Sequence, residues 1–339
     1  MTVAVETSAA TPPAAVRTPL GAVVPFDVMR AVRLTLMVLY LVVYVWWLRN
    51  RGLPIDRISV GISLAIFLVC AFIGRSLRTW AVLLLDVVLY CLMWFCYEMT
   101  RGAADHLGLP LQVESTRNVD RFLFFGHDPN VVLQEHLWEP TVRWYDWVAS
   151  STYMTHFILP VIVMAVLWAT THRQWVRFMK RFATVLGVSC VLFVLLPTAP
   201  PWMVSKEPYE LFPELHRSAG RGFADLGFRG FVRNYQTALD WGNAVAAMPS
   251  LHASFALIVP AFFLPWLKPW WLKALVLCFP VLMLSSLVYL GEHWVVDGLV
   301  GWAIVGATFL FWNRMERRTR LRKAARARSS LGTVAGGTA

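Results

Sequence analysis

Residues 272–313 read LKALVLCFPVLMLSSLVYL, then Gly291-Glu292-His293, then WVVDGLVGWAIVGATFLFWN. Two apolar stretches are therefore separated by only three residues. About 20 apolar residues are needed for a helix to cross the hydrocarbon core of a bilayer, where lipid offers the backbone no hydrogen-bond partners. The pattern predicts two antiparallel membrane helices joined by a tight turn, with ionisable groups at one membrane face.

Six further stretches have the same character, so eight membrane spans are predicted in all. They cover about 30–48, 58–74, 79–97, 148–170, 182–198 and 249–267, in addition to 272–290 and 294–313. The composition agrees, because 58% of the 339 residues are hydrophobic and only 15% are charged, whereas soluble domains carry about 25% charged residues. The predicted fold class is all-α, a polytopic transmembrane helix bundle.

Basic residues predict the orientation of the chain. The connection 172–181 and the tail after Arg314 are strongly basic, and basic loops stay in the cytoplasm. Both termini are then cytoplasmic, most simply at the plasma membrane, and the long segments 99–147 and 199–248 face outward. The first of these segments is rich in tryptophan, which favours interfacial helices. Much of the net charge of +11 lies in the tail, so we expect its partner to be anionic membrane lipid and not nucleic acid.

Three ionisable residues, His252, His293 and Asp297, stand where spans end on the outer side. His293 and Asp297 are four residues apart, which places them on one face of a helix within reach of each other. A carboxylate beside an imidazole fixes its tautomer and stabilises its protonated form. Ionisable residues within spans are costly and are therefore functional candidates. We therefore predict that these three residues belong to one functional site.

A phosphate site is predicted at the start of the span that carries His252. Pro249 suits the first position of a helix, so the amides of Ser250, Leu251 and His252 would be unpaired donors of the first turn. A helix end of this kind binds phosphate readily. Ser250 is therefore a candidate phosphate ligand.

The motif Pro249-Ser250-Leu251-His252, followed by His293-Trp294-Val295-Val296-Asp297, resembles the type 2 phosphatidic acid phosphatase (PAP2) superfamily. It is most similar to the inositolphosphotransferase-like branch, which includes inositol phosphorylceramide synthase-like proteins. Pro197–Trp202 resembles the proline-rich span end of that branch. The motifs cover about 197–301, and the helical layout extends the resemblance to 79–313.

Four parts of the chain are expected. Composition predicts a disordered cytoplasmic tail over 1–25 and a basic cytoplasmic tail over 314–339. The resemblance implies a PAP2-like catalytic domain with a six-helix core over 76–313, which leaves 26–75 as an accessory transmembrane hairpin.

The resemblance also implies a phospho-histidine mechanism. His293 would attack phosphorus, Asp297 would orient it, and His252 would protonate the leaving oxygen and then activate the acceptor. The substrate would be a lipid phosphate ester at the extracytoplasmic face, with no metal and no cofactor. A lipid or polyol alcohol as acceptor gives a transferase of a phosphoinositol-type headgroup, whereas water gives a phosphatase.

The sequence departs from the broader superfamily in its phosphate-binding cations. No arginine precedes Pro197, Leu251 replaces a glycine, and Leu287 stands where an arginine precedes the nucleophile by six residues. A phosphoryl group still needs donors where its charge develops. The candidates are basic residues of the second outer segment, namely Arg217, Arg221, Arg229 and Arg233.

Asp86, Tyr153 and His156 also lie within predicted spans. They either form a polar core that lines a substrate route or are paired structural residues. The eight spans leave open a lipid transporter or scramblase, although the chain has no evident inverted repeat. A serine hydrolase built on Ser250 or Ser254 is a weaker alternative, because neither serine lies in a Gly-x-Ser-x-Gly turn.

Overall fold

The computed structural model describes residues 28–52, 57–103, 109–223, 225 and 245–335. In these ranges the chain is helical, and its only β pairing is two isolated bridges. The α-helices are α1 Val28–Arg51, α2 Arg57–Phe72, α3 Leu77–Ala103, α4 Glu114–Leu123, α5 Pro129–Leu137, α6 Trp144–Thr170, α7 His172–Leu195, α8 Pro201–Val204, α9 Leu251–Phe263, α10 Trp270–Tyr289 and α11 Val295–Ala335. A short 3₁₀ helix, Leu264–Trp266, extends α9. The predicted all-α class is confirmed, while the tail 1–25 lies outside the described residues.

Each of the eight predicted spans corresponds to an apolar helix. Six helices, α1, α3, α6, α7, α10 and α11, are long and apolar enough to cross a membrane. The remaining two, α2 and α9, are apolar but shorter. The protein is an integral membrane protein built as a helix bundle.

Two helices extend beyond their predicted spans, into the segments expected to be a basic connection and a basic tail. Helix α7 begins at His172, and α11 runs through the basic segment to Ala335. An ion cluster accounts for both extensions. Arg177 and Arg181 on α7 donate to Glu316 on α11 at 2.6–3.0 Å, and Arg181 also donates to Asn313 at 2.8 Å. The two helices are therefore joined beyond their apolar parts.

Helix α9 is the centre of the bundle. It contacts α6, α7, α10 and α11, and its buried residues lie on all sides of the helix, as expected for a core helix. Phe255 stacks on Phe182, and Phe262 meets Phe178 edge to face. By contrast, α1 has no buried residue and packs mainly on α2, so its apolar side chains face the surrounding lipid.

Polar segments cover the end of the bundle at which α9 and α11 begin. Helix α4 packs on α11, and α5 packs on α10. The chain before α9 is held by backbone pairing, because Thr198 donates to the carbonyl of Val245 at 2.7 Å and Gln112 donates to that of Pro197 at 2.8 Å. These contacts position the approach to Ser250 and His252.

Helices α9 and α11 approach each other closely at Gly301. A Cβ at this position would lie 2.5 Å from Ser254 Oγ and 2.8 Å from the Ser250 carbonyl oxygen. Overpacking of this kind typically costs about 1–3 kcal/mol. We expect Gly301→Ala to lower the thermal unfolding temperature of the detergent-purified protein, measured by scanning fluorimetry.

Gly306→Ala is the matched control on the same helix, since a Cβ there would have no described neighbour within 4 Å. It should leave the unfolding temperature unchanged or raise it slightly, because alanine favours helix over glycine. Equal unfolding temperatures for the two variants would contradict the close contact at Gly301.

Candidate active site

The three residues predicted to be catalytic lie in one row. His293 Nδ1 is 3.3 Å from Asp297 Oδ2, and His293 Nε2 is 3.3 Å from His252 Nδ1. Asp297 is fully buried, and His293 is only 6% exposed. When Nδ1 carries its proton toward the carboxylate, Nε2 keeps a lone pair that points toward His252. The row therefore places an imidazole between a carboxylate and a second imidazole, each within contact distance.

A tight turn between α10 and α11 presents His293. Gly291 adopts a φ of +75° there, a left-handed conformation that favours glycine. The Gly291 carbonyl accepts from Trp202 N–H at 3.0 Å. Trp294 is buried and donates from Nε1 to the Ala199 carbonyl at 2.9 Å. The proline-rich segment that carried part of the family resemblance thus forms the wall behind this turn.

Ser250 joins the two helix ends, so its amide is not the free donor that was predicted. Its N–H donates to the Asp297 carbonyl at 3.0 Å, and its Oγ accepts from the Ala253 amide at 3.3 Å. Ser250 is therefore the N-cap of α9 and is fully buried. A phosphate at this helix end would have to use later amides of the first turn.

Two of the four predicted arginines lie in the described residues, and both are already engaged. Arg217 forms a bidentate pair with Glu292 at 2.8 and 3.2 Å and covers the ring of Trp202. Arg221 donates to the carbonyl of Glu139 and lies 3.8 Å from Asp146. Since Glu292 directly precedes His293, the Arg217 pair is adjacent to the histidine row. Arg229 and Arg233 lie outside the described residues.

The predicted polar core divides into two places. Tyr153 and His156, one turn apart on α6, flank His252 with ring centroids at 4.6 and 4.0 Å. They therefore form part of the site. Asp86 is elsewhere, because its carboxylate accepts from Trp168 Nε1 at 2.8 Å and contacts His172 Nε2 at 2.9 Å. Asp86 therefore joins α3 to the far end of α6, which agrees with the alternative that it is a paired structural residue.

Asp120 on α4 is a functional candidate that sequence reasoning missed. Its carboxylate accepts the amides of Val295 and Val296 at 2.7 and 2.9 Å. It therefore compensates the positive N-terminal end of α11, the helix that carries Asp297. Burial raises the pKa of Asp120 to about 6 against the effect of these hydrogen bonds, and the nearby carboxylates of Asp297 and Asp128 add to the increase.

Asn130 and Gln134 on α5 hold the turn from the other side. Asn130 Nδ2 donates to the carbonyls of Val288 and His293 at 2.8 and 3.1 Å. Gln134 Nε2 donates to the carbonyl of Tyr289 at 2.8 Å. Both polar side chains are buried. Their four-residue spacing was a signal for a shared helix face, but it did not identify what that face contacts.

The fold and site define an integral membrane protein with a histidine–histidine–aspartate row at one end of its bundle. Residues 117–311 match the PAP2 superfamily, and the chain belongs to this superfamily. It is accordingly a lipid phosphotransferase or phosphatase, so the transporter and serine hydrolase alternatives are not retained.

The comparison with curated proteins finds the phosphoinositol dihydroceramide synthase of Bacteroides thetaiotaomicron. It is 25% identical over 265 residues, which cover 75% of this chain and 84% of that protein. This similarity confirms the predicted inositol phosphorylceramide synthase-like branch. No solved structure gives a significant match.

The raised pKa of Asp120 predicts a pH dependence of stability. Between its ordinary value of 3.8 and about 6, the folded protein holds a proton that the unfolded chain has lost. This group's contribution to the free energy of unfolding therefore falls as pH rises through that window and is constant above it. We expect Asp120→Asn to remove this component from the unfolding temperature measured between pH 4 and 7.

Glu114→Gln, at an exposed position on the same helix, is the control and should retain the wild-type pH dependence. If Asp120→Asn and wild type show the same slope between pH 4 and 6, Asp120 does not titrate in this window.

Proposed function

We propose that this enzyme transfers the phosphate-bearing headgroup of a lipid to an acceptor through a phospho-histidine at His293. The observation that carries the proposal is the row in which His293 lies 3.3 Å from Asp297 on one side and 3.3 Å from His252 on the other. Asp297 orients the imidazole, and its negative charge stabilises the imidazolium character that His293 gains as it attacks.

In the first step, Nε2 of His293 forms a bond to phosphorus while the bond from phosphorus to the lipid oxygen breaks. His252 gives its proton to the departing lipid oxygen and thereby becomes a neutral imidazole. The phosphoryl group must enter between the two rings, because Nε2 and His252 Nδ1 contact each other directly. The substrate thus replaces the resting contact between the two histidines.

In the second step, His252 removes the proton of the acceptor hydroxyl, whose oxygen attacks phosphorus as the bond to Nε2 breaks. The two steps return both histidines to their starting protonation states. Dividing the displacement in this way replaces one difficult reaction with two easier ones, and acid–base assistance typically contributes about 10²–10⁴-fold.

An alcohol acceptor and an extracytoplasmic site complete the proposal. The relative's name joins a phosphoinositol headgroup to dihydroceramide, which supports a lipid alcohol as acceptor and a phosphoinositol-type headgroup as cargo. The basic segments of α7 and α11 lie at the end opposite the histidines, which supports cytoplasmic termini. Arg217 would bind the substrate phosphate after releasing its present partner, Glu292.

A substrate with an activated leaving group separates the roles of the two histidines. With a nitrophenyl ester of a lipid phosphate, departure of the leaving group needs no acid. We therefore expect His252→Gln to release a burst of about one equivalent of nitrophenolate and then stall. His293→Gln should give no burst. Of these two variants, only His252→Gln should carry an acid-labile phosphoryl label, because it retains His293.

His127→Ala, at an exposed histidine, is the matched control and should turn over like wild type. A burst from His293→Gln equal to that of wild type would exclude His293 as the nucleophile.

The choice of acceptor is tested with purified enzyme in mixed micelles containing a phosphoinositol lipid, with and without ceramide. We expect a new phosphoinositol lipid to form at the expense of the donor and little free headgroup to be released. Mass spectrometry of the lipids gives the rate of headgroup transfer, and assay of the aqueous phase gives the rate of headgroup release. Release that is unaffected by ceramide, with no new lipid, would instead identify a phosphatase or phosphodiesterase.

A further inference from the structure

A cavity of about 440 Å³ lies between α1 and α2, at the end where α1 begins. Its lining residues are Arg30, Arg33, Leu34, Met37, Ala71 and Arg75. Three guanidinium groups are thus combined with an apolar surface, and the described lining includes no carboxylate. Its volume falls in the range of sites that enclose small organic ligands.

The helix ends around this cavity add to its positive potential. Helix α1 begins at Val28, and α3 begins at Leu77, two residues after Arg75. Neither helix has an acidic residue in its first turn. Each helix N-terminus carries roughly half a positive charge, so basic residues in this position are unfavourable by themselves. A bound anion would compensate the arginines and the beginning of α3.

The cavity is far from the histidine row. Phe72, at the end of α2, meets Trp168 edge to face with ring centroids 4.8 Å apart. Trp168 follows Tyr153, the neighbour of His252, by fifteen residues on α6, a helical rise of about 22 Å. The cavity also precedes the segment 117–311 that matches the superfamily. A ligand here is therefore separate from the reacting substrate.

The cavity opens toward lipid. Leu34, which lines it, is 59% exposed, and α1 continues with a series of exposed apolar side chains. A ligand that fits this surface has a compact anionic group for the arginines and a hydrocarbon chain for the helix face. We propose that the cavity binds the phosphate headgroup of an anionic phospholipid, with its acyl chain along Leu34 and Met37.

Arg33 differs from the other two arginines in its contacts. Its Nη1 donates to the carbonyl of Ile73 at 3.2 Å and thereby ties α1 to the end of α2. Replacing it would disturb the hairpin itself. Arg30 and Arg75 are therefore the residues to change, because they supply charge to the cavity from two different segments.

The test uses the delipidated full-length protein in a neutral detergent, titrated with phosphatidylglycerol or phosphatidylcholine and observed by native mass spectrometry. We expect the wild-type protein to retain phosphatidylglycerol in preference to phosphatidylcholine. The double variant Arg30→Gln/Arg75→Gln should bind it roughly tenfold more weakly, because two charge-assisted contacts are lost. The matched control Arg78→Gln/Arg173→Gln removes two charges at the same end of the bundle, outside the cavity, and should bind like wild type.

Ala71→Phe provides a second variant that fills the cavity without changing its charge, and it too should weaken phosphatidylglycerol binding. Equal binding of the two lipids by wild type would overturn the proposal, as would equal losses in both double variants. Displacement of the lipid by millimolar inorganic phosphate would identify a free-anion site instead. Headgroup-transfer activity reports on the distant histidines, so its presence or absence leaves this proposal unaffected.

Discussion

The active end of the protein depends on the hydrogen bond from the Ser250 amide to the carbonyl of Asp297. This bond joins the first residues of two helices that are more than forty residues apart in sequence. It requires their backbones to approach closely, which is why residue 301 has room only for glycine beside Ser250 and Ser254. With the helix ends fixed in this way, His252 and His293 meet at 3.3 Å.

Several polar side chains around this bond pair with backbone groups for which lipid offers no hydrogen-bond partner. The start of α11 and the turn before it leave amides and carbonyls unpaired within the helices themselves. Asp120 accepts two of the amides, whereas Asn130 and Gln134 donate to the carbonyls. Helices α4 and α5 therefore act as caps for this end of the bundle, and their polar residues hold the turn that carries His293.

The sequence predicted those features that depend on local pattern. Hydrophobic length was sufficient to locate all eight apolar helices, and the four-residue spacing was sufficient to pair His293 with Asp297. The pairing of Asp120 with Val295, or of Asn130 with Val288, joins residues that are more than 150 positions apart. No local pattern predicts such a contact, because the helix packing that creates it involves the whole chain.

The same limit applies to the two helices that extend beyond their predicted spans and to the amide of Ser250. A basic segment in isolation favours a loop at the membrane surface, but Arg177 and Arg181 on one helix find Glu316 on another, so both helices continue. Pro249 was predicted to open the helix, but Ser250 is its N-cap and α9 begins at Leu251. What the local pattern could not indicate was that the Ser250 amide is taken by Asp297, since the two lie on separate helices.

Burial of the row bears on the choice between transfer and hydrolysis. A phospho-histidine that water reaches freely is hydrolysed, so a transferase must keep water from Nε2 while it admits an alcohol. His293 is only 6% exposed, Asp297 is fully buried, and Trp294 closes the wall behind them. The rings of Tyr153 and His156 cover His252 from α6. An acceptor that arrives from the bilayer with its own apolar surface can enter such a site without bringing bulk water, which favours a lipid alcohol.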